Sequence, residues 1–219
     1  MKIKAYITTY NRANTLTELV DDLKQYDIEP IILDDGSSYK ANLTNYLRHK
    51  HRGKKGFWKT WDYILKDCKQ EDYYTWTSTL YLFLPDDFKD INIRELIRLH
   101  HALKDNPYCY NIINDGREKN WTNILQRKQD DNTIMCGYVD CGFFCNKEAL
   151  DKIGYYVDEV PSEWFKTEAI SSGVGYQLSK RFLKARVVMY KPVKSLAYHG
   201  NHKSEMHPEE RKKNPLISK

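Results

Sequence analysis

Residues 2–38 read KIKAYITTYNRANTLTELVDDLKQYDIEPIILDDGSS, and this stretch decides the fold class. Lys2–Thr8 is a short run of β-prone residues. Ala13–Tyr26 then places Leu16, Leu19, Val20 and Leu23 at the spacing of one buried helical face. Pro30–Leu33 is a second apolar run, and it ends in Asp34-Asp35-Gly36-Ser37-Ser38, a turn with helix-capping chemistry. Strand, helix and strand in that order predict two parallel strands joined by a crossover helix.

The alternation continues outward. Tyr39–His49 reads as a helix, and Phe57–Lys69 as another, with Phe57, Trp61, Ile64 and Leu65 on one face. Tyr73–Leu84 holds strand-forming residues that finish before Pro85-Asp86-Asp87. Asn92 is placed to cap a helix running to about Leu103, with Glu95 at the capping-box position. This order predicts an α/β fold with a mostly parallel sheet and helices on both faces.

The second half is less regular. Tyr108–Ile113, Thr133–Val139, Arg186–Tyr190 and Leu196–His199 read as strands, and Lys147–Ile153 as a short helix. Glu163–Phe182 is helical in part but interrupted at Ser171–Gly175. Asn114–Asn132 reads as a polar surface excursion. Without an internal repeat or linker, residues 1–200 read as one domain and 201–219 as a polar tail.

Composition narrows the class. With 219 residues, 41% of them hydrophobic, the chain can bury a core, which excludes disorder. No apolar run approaches the ~20 residues of a membrane helix, and the first ten residues read as a strand, so neither a span nor a signal peptide is expected. Five cysteines, an odd count with no CxxC pair, argue against a disulfide framework or a zinc knuckle and for reduced, mostly buried thiols. The chain therefore reads as cytoplasmic. Its net charge is +5, and Arg48–Lys59 (RHKHRGKKGFWK) alone carries +6, leaving −1 for all other residues. That segment reads as one basic loop suited to an anionic partner.

In parallel sheets, ligands bind beyond the carboxyl ends of the strands. Here those ends carry Thr8-Thr9-Tyr10-Asn11-Arg12, Asp34-Asp35 and Asp86-Asp87. Asp86-Asp87 after a proline is either a turn and cap signal or a pair of oxygen ligands for Mg²⁺ or Mn²⁺, which bind through one or two carboxylates plus substrate phosphates. His199, in Tyr198-His199-Gly200-Asn201-His202, is a candidate nitrogen ligand. Asp34 and Asp35 are turn residues or acceptors for a nucleobase and ribose, and Thr8–Arg12 is a helix cap or the floor of a nucleotide pocket. Lys54 and Lys55 in the basic segment, with His202 in the tail, are candidates for the phosphates. The tail from His199 to Arg211 is either a solvent-exposed end or a lid.

Taken in order, Ile7-Thr8-Thr9-Tyr10-Asn11-Arg12, Leu33-Asp34-Asp35-Gly36-Ser37-Ser38 and Phe83-Leu84-Pro85-Asp86-Asp87-Phe88 resemble the motifs of GT-A glycosyltransferases of the family-2-like group. The similarity continues through Asp140-Cys141-Gly142-Phe143-Phe144-Cys145-Asn146-Lys147-Glu148-Ala149-Leu150 and Ile153-Gly154-Tyr155-Tyr156, which resembles that group's acceptor-side segment, and closes at Tyr198-His199. The resemblance implies a GT-A fold, a nucleotide-sugar donor, usually a UDP-sugar, and a divalent metal. It assigns the nucleoside to Thr8–Arg12 and Asp34, and the metal to Asp87 and His199. Two departures stand out. Pro85 replaces the first acid of the usual Asp-x-Asp, and Val174-Gly175 aligns with the Glu-Asp pair that supplies the family's catalytic base. An inverting enzyme still needs a carboxylate at the acceptor hydroxyl. Of Asp140, Glu163 and Glu168, Asp140 is the first choice, at a strand end beside glycine.

The compact chain and its tail are also similar in type to small phage-encoded glycosyltransferases, some of which modify hydroxymethylated bases in DNA. A DNA acceptor, a bacterial surface glycan or glycoside, and a catalytically silent nucleotide-sugar or DNA-binding module are the open readings. A flipped base would make Trp58, Trp61, Phe143 and Phe144 stacking candidates, against the alternative that they pack the core. A Rossmann dehydrogenase is disfavoured, because the GxG at Gly173–Gly175 lacks a third glycine and a preceding strand.

Overall fold

The computed structural model describes residues 1–70, 79–114, 127–139, 142–161 and 173–200. β1 (Lys2–Thr9) and β2 (Ile31–Asp34) pair in parallel, with Thr9 opposite Asp34, and α1 (Ala13–Lys24) connects them. α1 buries Leu16, Leu19, Val20 and Leu23, the face their spacing predicts.

After β2 the chain departs from expectation. Residues 39–49 do not form a helix. Asn45 adopts a left-handed φ of 53°, and β3 (Tyr46–Arg48) pairs in parallel with the outer edge of β2. Backbone pairing at that edge overrides local helix propensity: the Ile32 amide donates to the Asn45 carbonyl at 2.9 Å, and the Tyr46 phenol is hydrogen-bonded to buried Asp34. The basic stretch also divides. α2 (Gly53–Lys69) begins four residues before Phe57, so Lys54, Lys55 and Lys59 belong to its first two turns. The charge excess is a strand end, a short loop and a helix N-terminus, not one loop.

β4 (Thr79–Pro85) pairs in parallel with the other side of β1. β5 (Phe88–Lys89) follows, and α3 (Ile93–Leu103) starts as predicted, with Asn92 Oδ1 accepting from the Glu95 amide at 3.1 Å. The remaining elements are β6 (Tyr108–Asn111), β7 (Arg127–Lys128), β8 (Thr133–Cys136), β9 (Phe143–Asn146), α4 (Lys147–Ile153), α5 (Val174–Lys184), β10 (Val188–Pro192) and β11 (Tyr198–His199).

Among the described residues, nine strands form one sheet in the order β3-β2-β1-β4-β9-β6-β10-β8-β7, and β11 pairs with β5 apart from it. The pairings leave β8 and β9 running against the other strands. β9 carries no sequence signal of its own. All four of its residues are buried, so the alternation that marks a half-exposed strand is absent.

Helices cover both faces. On one, Phe57, Trp61, Leu178 and Phe182 of α2 and α5, with Leu150 of α4, pack on Tyr6, Phe83 and Phe143. On the other, Leu16, Leu19, Leu96 and Leu99 of α1 and α3 pack on Ile7, Leu82, Tyr110 and Phe144. Trp61, Phe143 and Phe144 are therefore core residues. Cys68, Cys109, Cys136 and Cys145 are free and buried, and burial pushes the Cys136 thiol up to about 11, far from the reactive thiolate range.

Candidate active site

The carboxyl ends of β2, β1 and β4 lie side by side, so three segments distant in sequence meet at one edge of the sheet. The Asp35 amide donates to the Thr9 carbonyl at 2.9 Å and the Asp86 amide to the Thr8 carbonyl at 3.2 Å, which holds both acid pairs against the end of β1. Asn11, at a left-handed φ of 53°, turns the chain there. Its amide donates to Ser37 Oγ at 2.8 Å and its Oδ1 accepts from the Ser38 amide at 2.7 Å, clasping the loops after β1 and β2 together.

The first acid pair is bound inward. Asp34 is fully buried, and its Oδ1 accepts from the Ser37 amide at 2.9 Å and the Ser37 hydroxyl at 2.5 Å, while its Oδ2 accepts from the Tyr46 phenol. Asp35 closes the N-terminus of α2: its Oδ1 accepts from the Arg52 amide and its Oδ2 from the Gly53 amide, each at 3.0 Å. These are amides that a helix cannot satisfy internally. Burial nevertheless raises the Asp35 carboxyl pKa, with the two amides acting against that rise. The expectation of open carboxylates offered to a nucleobase thus meets a different geometry, in which both residues brace the turn around Gly36. That turn needs glycine. Gly36 has φ +81°, and a Cβ there would lie 2.4 Å from the His51 amide nitrogen.

The second acid pair gathers a cation and a histidine. Asp86 Oδ2 accepts from Thr9 Oγ1 at 2.7 Å, and Asp86 Oδ1 from Arg12 Nη1 at 2.7 Å. The same Arg12 nitrogen lies 2.9 Å from Asp87 Oδ2. Burial, with Asp87 alongside, pushes the Asp86 carboxyl up to about 6 even though Arg12 and Thr9 favour its ionised form. For Arg12, burial works against the charge, but the two carboxylates outweigh it and its pKa is raised. Asp87 is fully buried, and its Oδ1 lies 3.4 Å from His199 Nε2. His199 arrives through the β11–β5 ladder, in which it pairs with Phe88; its ring meets the Phe88 ring edge-on at 5.4 Å, and the Gly200 amide donates to the Asp87 carbonyl at 2.7 Å. Asp87 and His199, singled out together from sequence, are adjacent.

The other candidates divide. Tyr10 stacks on His51 with ring centroids 4.2 Å apart, half-exposed beside Asp35. His51 was not singled out as a site residue, because nothing in its basic context separates it from its neighbours. Arg12 belongs with the acid pair rather than with a nucleoside alone. That ion pair leaves no sequence signal, since its partners lie beyond the next strand. Lys55 is exposed in the first turn of α2. Asp140, Glu163, Glu168 and His202 lie outside the described residues, as does the side chain of Lys54.

Where the family's Glu-Asp pair would fall, Val174 is buried and a Cβ on Gly175 would lie 2.9 Å from the Val139 carbonyl oxygen. The first turn of α5 packs against residue 139, and a carboxylate side chain at 175 would force it away.

A mostly parallel α/β sheet with acidic and hydroxyl-bearing strand ends at one edge agrees with the GT-A class of nucleotide-sugar transferases. The family model of glycosyl transferase family 2 matches residues 5–154, and the chain belongs to this family. It is a glycosyltransferase of the nucleotide-sugar type, and members of its family generally use a divalent metal. The match includes both acid pairs and ends before α5 and His199. A search of curated proteins finds no match to the chain. No helix among the described residues is long and apolar enough to cross a membrane.

Proposed function

We propose that the protein transfers a sugar from a UDP-sugar to an acceptor hydroxyl, using Mn²⁺ or Mg²⁺ held by Asp87 and His199. The observation that carries this reading is the convergence of Asp87 Oδ1 and His199 Nε2 at 3.4 Å, produced by a two-residue ladder at the end of the described chain. The donor set fits the ion. One carboxylate oxygen and one imidazole nitrogen suit either cation, and phosphate oxygens and water complete its shell. Among the described residues no group of three or more His, Cys, Asp or Glu converges, in keeping with a cation shared with the donor. When bound, the cation offsets charge developing on the leaving diphosphate.

The chain's own residues do the rest. Thr8–Arg12 floor the nucleoside site, and the Tyr10–His51 stack offers it an aromatic face. Asp34 and Asp35 act there through the backbone they hold. Lys54, Lys55 and His202 are the residues assigned to the donor phosphates. Asp140 takes the proton from the acceptor hydroxyl as its oxygen attacks the anomeric carbon.

For the acceptor we favour a polyanion, of which DNA bearing hydroxymethylated bases is one case; a bacterial surface glycan or glycoside is the alternative. Residues 173–199 hold six Lys or Arg and no acid; Lys191 is buried, while α5 exposes Tyr176, Lys180 and Lys184. The −1 left outside Arg48–Lys59 conceals this second basic region.

Thermal stabilisation by UDP- and GDP-sugars with Mn²⁺ tests the donor, because a saturating ligand raises stability by RT ln(1 + [L]/Kd). Mn²⁺-dependent hydrolysis of the stabilising donor separates an enzyme from a silent module. Asp140→Asn is expected to keep donor binding by calorimetry and lose transfer; full transfer would move the base elsewhere. Transfer to hydroxymethylated-base DNA that falls with salt supports the polyanion, and transfer only to a neutral glycoside overturns it.

A further inference from the structure

The acid pair is already partly neutralised by Arg12. Its guanidinium is aimed by a pinned backbone: the Arg12 amide donates to the Tyr39 phenol at 3.2 Å, and its carbonyl accepts from the Leu16 amide at 3.0 Å and Thr15 Oγ1 at 3.2 Å. From that anchor one nitrogen reaches Asp86 Oδ1 at 2.7 Å and Asp87 Oδ2 at 2.9 Å. The carboxylate side chains are 5% and 0% exposed and the arginine 16%, so water screens the trio weakly.

Charge then sets the order of binding. Two carboxylates and one guanidinium leave at most one negative charge among these three residues, and a ligating histidine is neutral. A divalent cation entering alone would meet a buried site with too little negative charge to replace its hydration. It would also lie against the fixed positive charge of Arg12. A nucleoside diphosphate changes the balance, because its ionised oxygens add negative charge beside Asp87 and supply ligands. We propose that Arg12 makes cation binding at Asp87 conditional on the nucleotide: it is the resident counter-ion of the donor-free enzyme, and the cation is admitted only with a diphosphate. The proposal rests on the assignment of Asp87 and His199 as the cation's ligands.

The test is titration of the full chain with Mn²⁺, followed by the electron paramagnetic resonance signal of free Mn²⁺, without nucleotide and with saturating UDP or GDP. Wild type is expected to bind Mn²⁺ alone at least roughly tenfold more weakly than with the nucleotide, about 1.4 kcal/mol of coupling. Arg12→Gln is expected to bind Mn²⁺ alone at least roughly tenfold more tightly than wild type, with a smaller gain from nucleotide. Mn²⁺ should also raise the Tm of this variant more than that of wild type. Arg12→Lys keeps the charge without the planar fork and should remain nucleotide-dependent; if Arg12→Gln does not fold, this variant carries the test, and Mn²⁺ binding by it that is equal with and without nucleotide overturns the proposal. Equal Mn²⁺ affinity of wild type with and without nucleotide overturns the proposal. So does an Arg12→Gln variant that binds Mn²⁺ alone no more tightly than wild type. Asp87→Asn separates the two levels: Mn²⁺ binding that survives this change places the cation elsewhere and overturns the ligand assignment itself.

Discussion

Asp34-Asp35 and Asp86-Asp87 are the same local sequence event, two carboxylates just after a strand that pairs with β1, yet they do opposite work. Around the first pair the close hydrogen bonds come from neutral donors, Ser37, the Tyr46 phenol and the open amides of α2, although the Arg48 guanidinium lies 3.8 Å from Asp34 and the His51 ring 3.2 Å from Asp35. The carboxylates are consumed in holding a turn. At the second pair the close contact is itself ionic: one Arg12 nitrogen lies 2.7 Å from Asp86 and 2.9 Å from Asp87, with the His199 imidazole 3.4 Å from Asp87. A buried carboxylate becomes scaffold or site according to what the rest of the chain brings to it, not by its place after a strand.

The largest expected effect separates the pairs by function. Asp87→Ala should abolish Mn²⁺-dependent donor binding in calorimetry, a loss of roughly 100-fold or more; unchanged affinity would end the metal assignment. Gly36→Ala attacks the scaffold most severely. It imposes a positive φ on alanine and sets its Cβ 2.4 Å from the His51 backbone, and denaturant unfolding should show a loss of roughly 3 kcal/mol or more.

Asp34→Ala is the counterpart of Asp87→Ala. Leaving Ser37 and Tyr46 without their shared acceptor should cost on the order of 3 kcal/mol of stability, while donor affinity in the folded protein changes less than for Asp87→Ala. The opposite ranking would make Asp34 a direct nucleoside ligand.

The smallest effect is one of pH. Asp86 has an ordinary value of 3.8 in the unfolded chain and is pushed up to about 6 by burial. The folded state therefore binds the proton more tightly, and this residue's contribution to stability is present below about pH 4 and lost as pH rises through 6, by no more than about 3 kcal/mol. His100, whose burial lowers its imidazole to about 4, has the opposite sign: stability falls as pH drops from about 6.5 toward 4. The difference between Asp86→Asn and wild type isolates the first effect.

Much of this was legible in sequence where a short-range rule applies. α1 and α3 follow from apolar spacing and, for α3, from Asn92; α4 occupies the predicted residues. The adjacency of Asp87 and His199 was legible through the order of motifs. Residues 39–49 were misread because Asn45 and Tyr46 answer to the edge of β2 rather than to their own neighbours. β9 was missed because full burial removes the pattern that marks a strand.

By itself the sequence determined the alternation of strands and helices, and with it the edge of the sheet where polar strand ends must collect, since periodicity and capping are local properties of the chain. Only the tertiary structure decided which acid pair braces a turn and which meets Arg12 and His199. Hydrogen-bond donors and countercharges act over a few ångströms in space, and here they come from segments that the sequence keeps far apart.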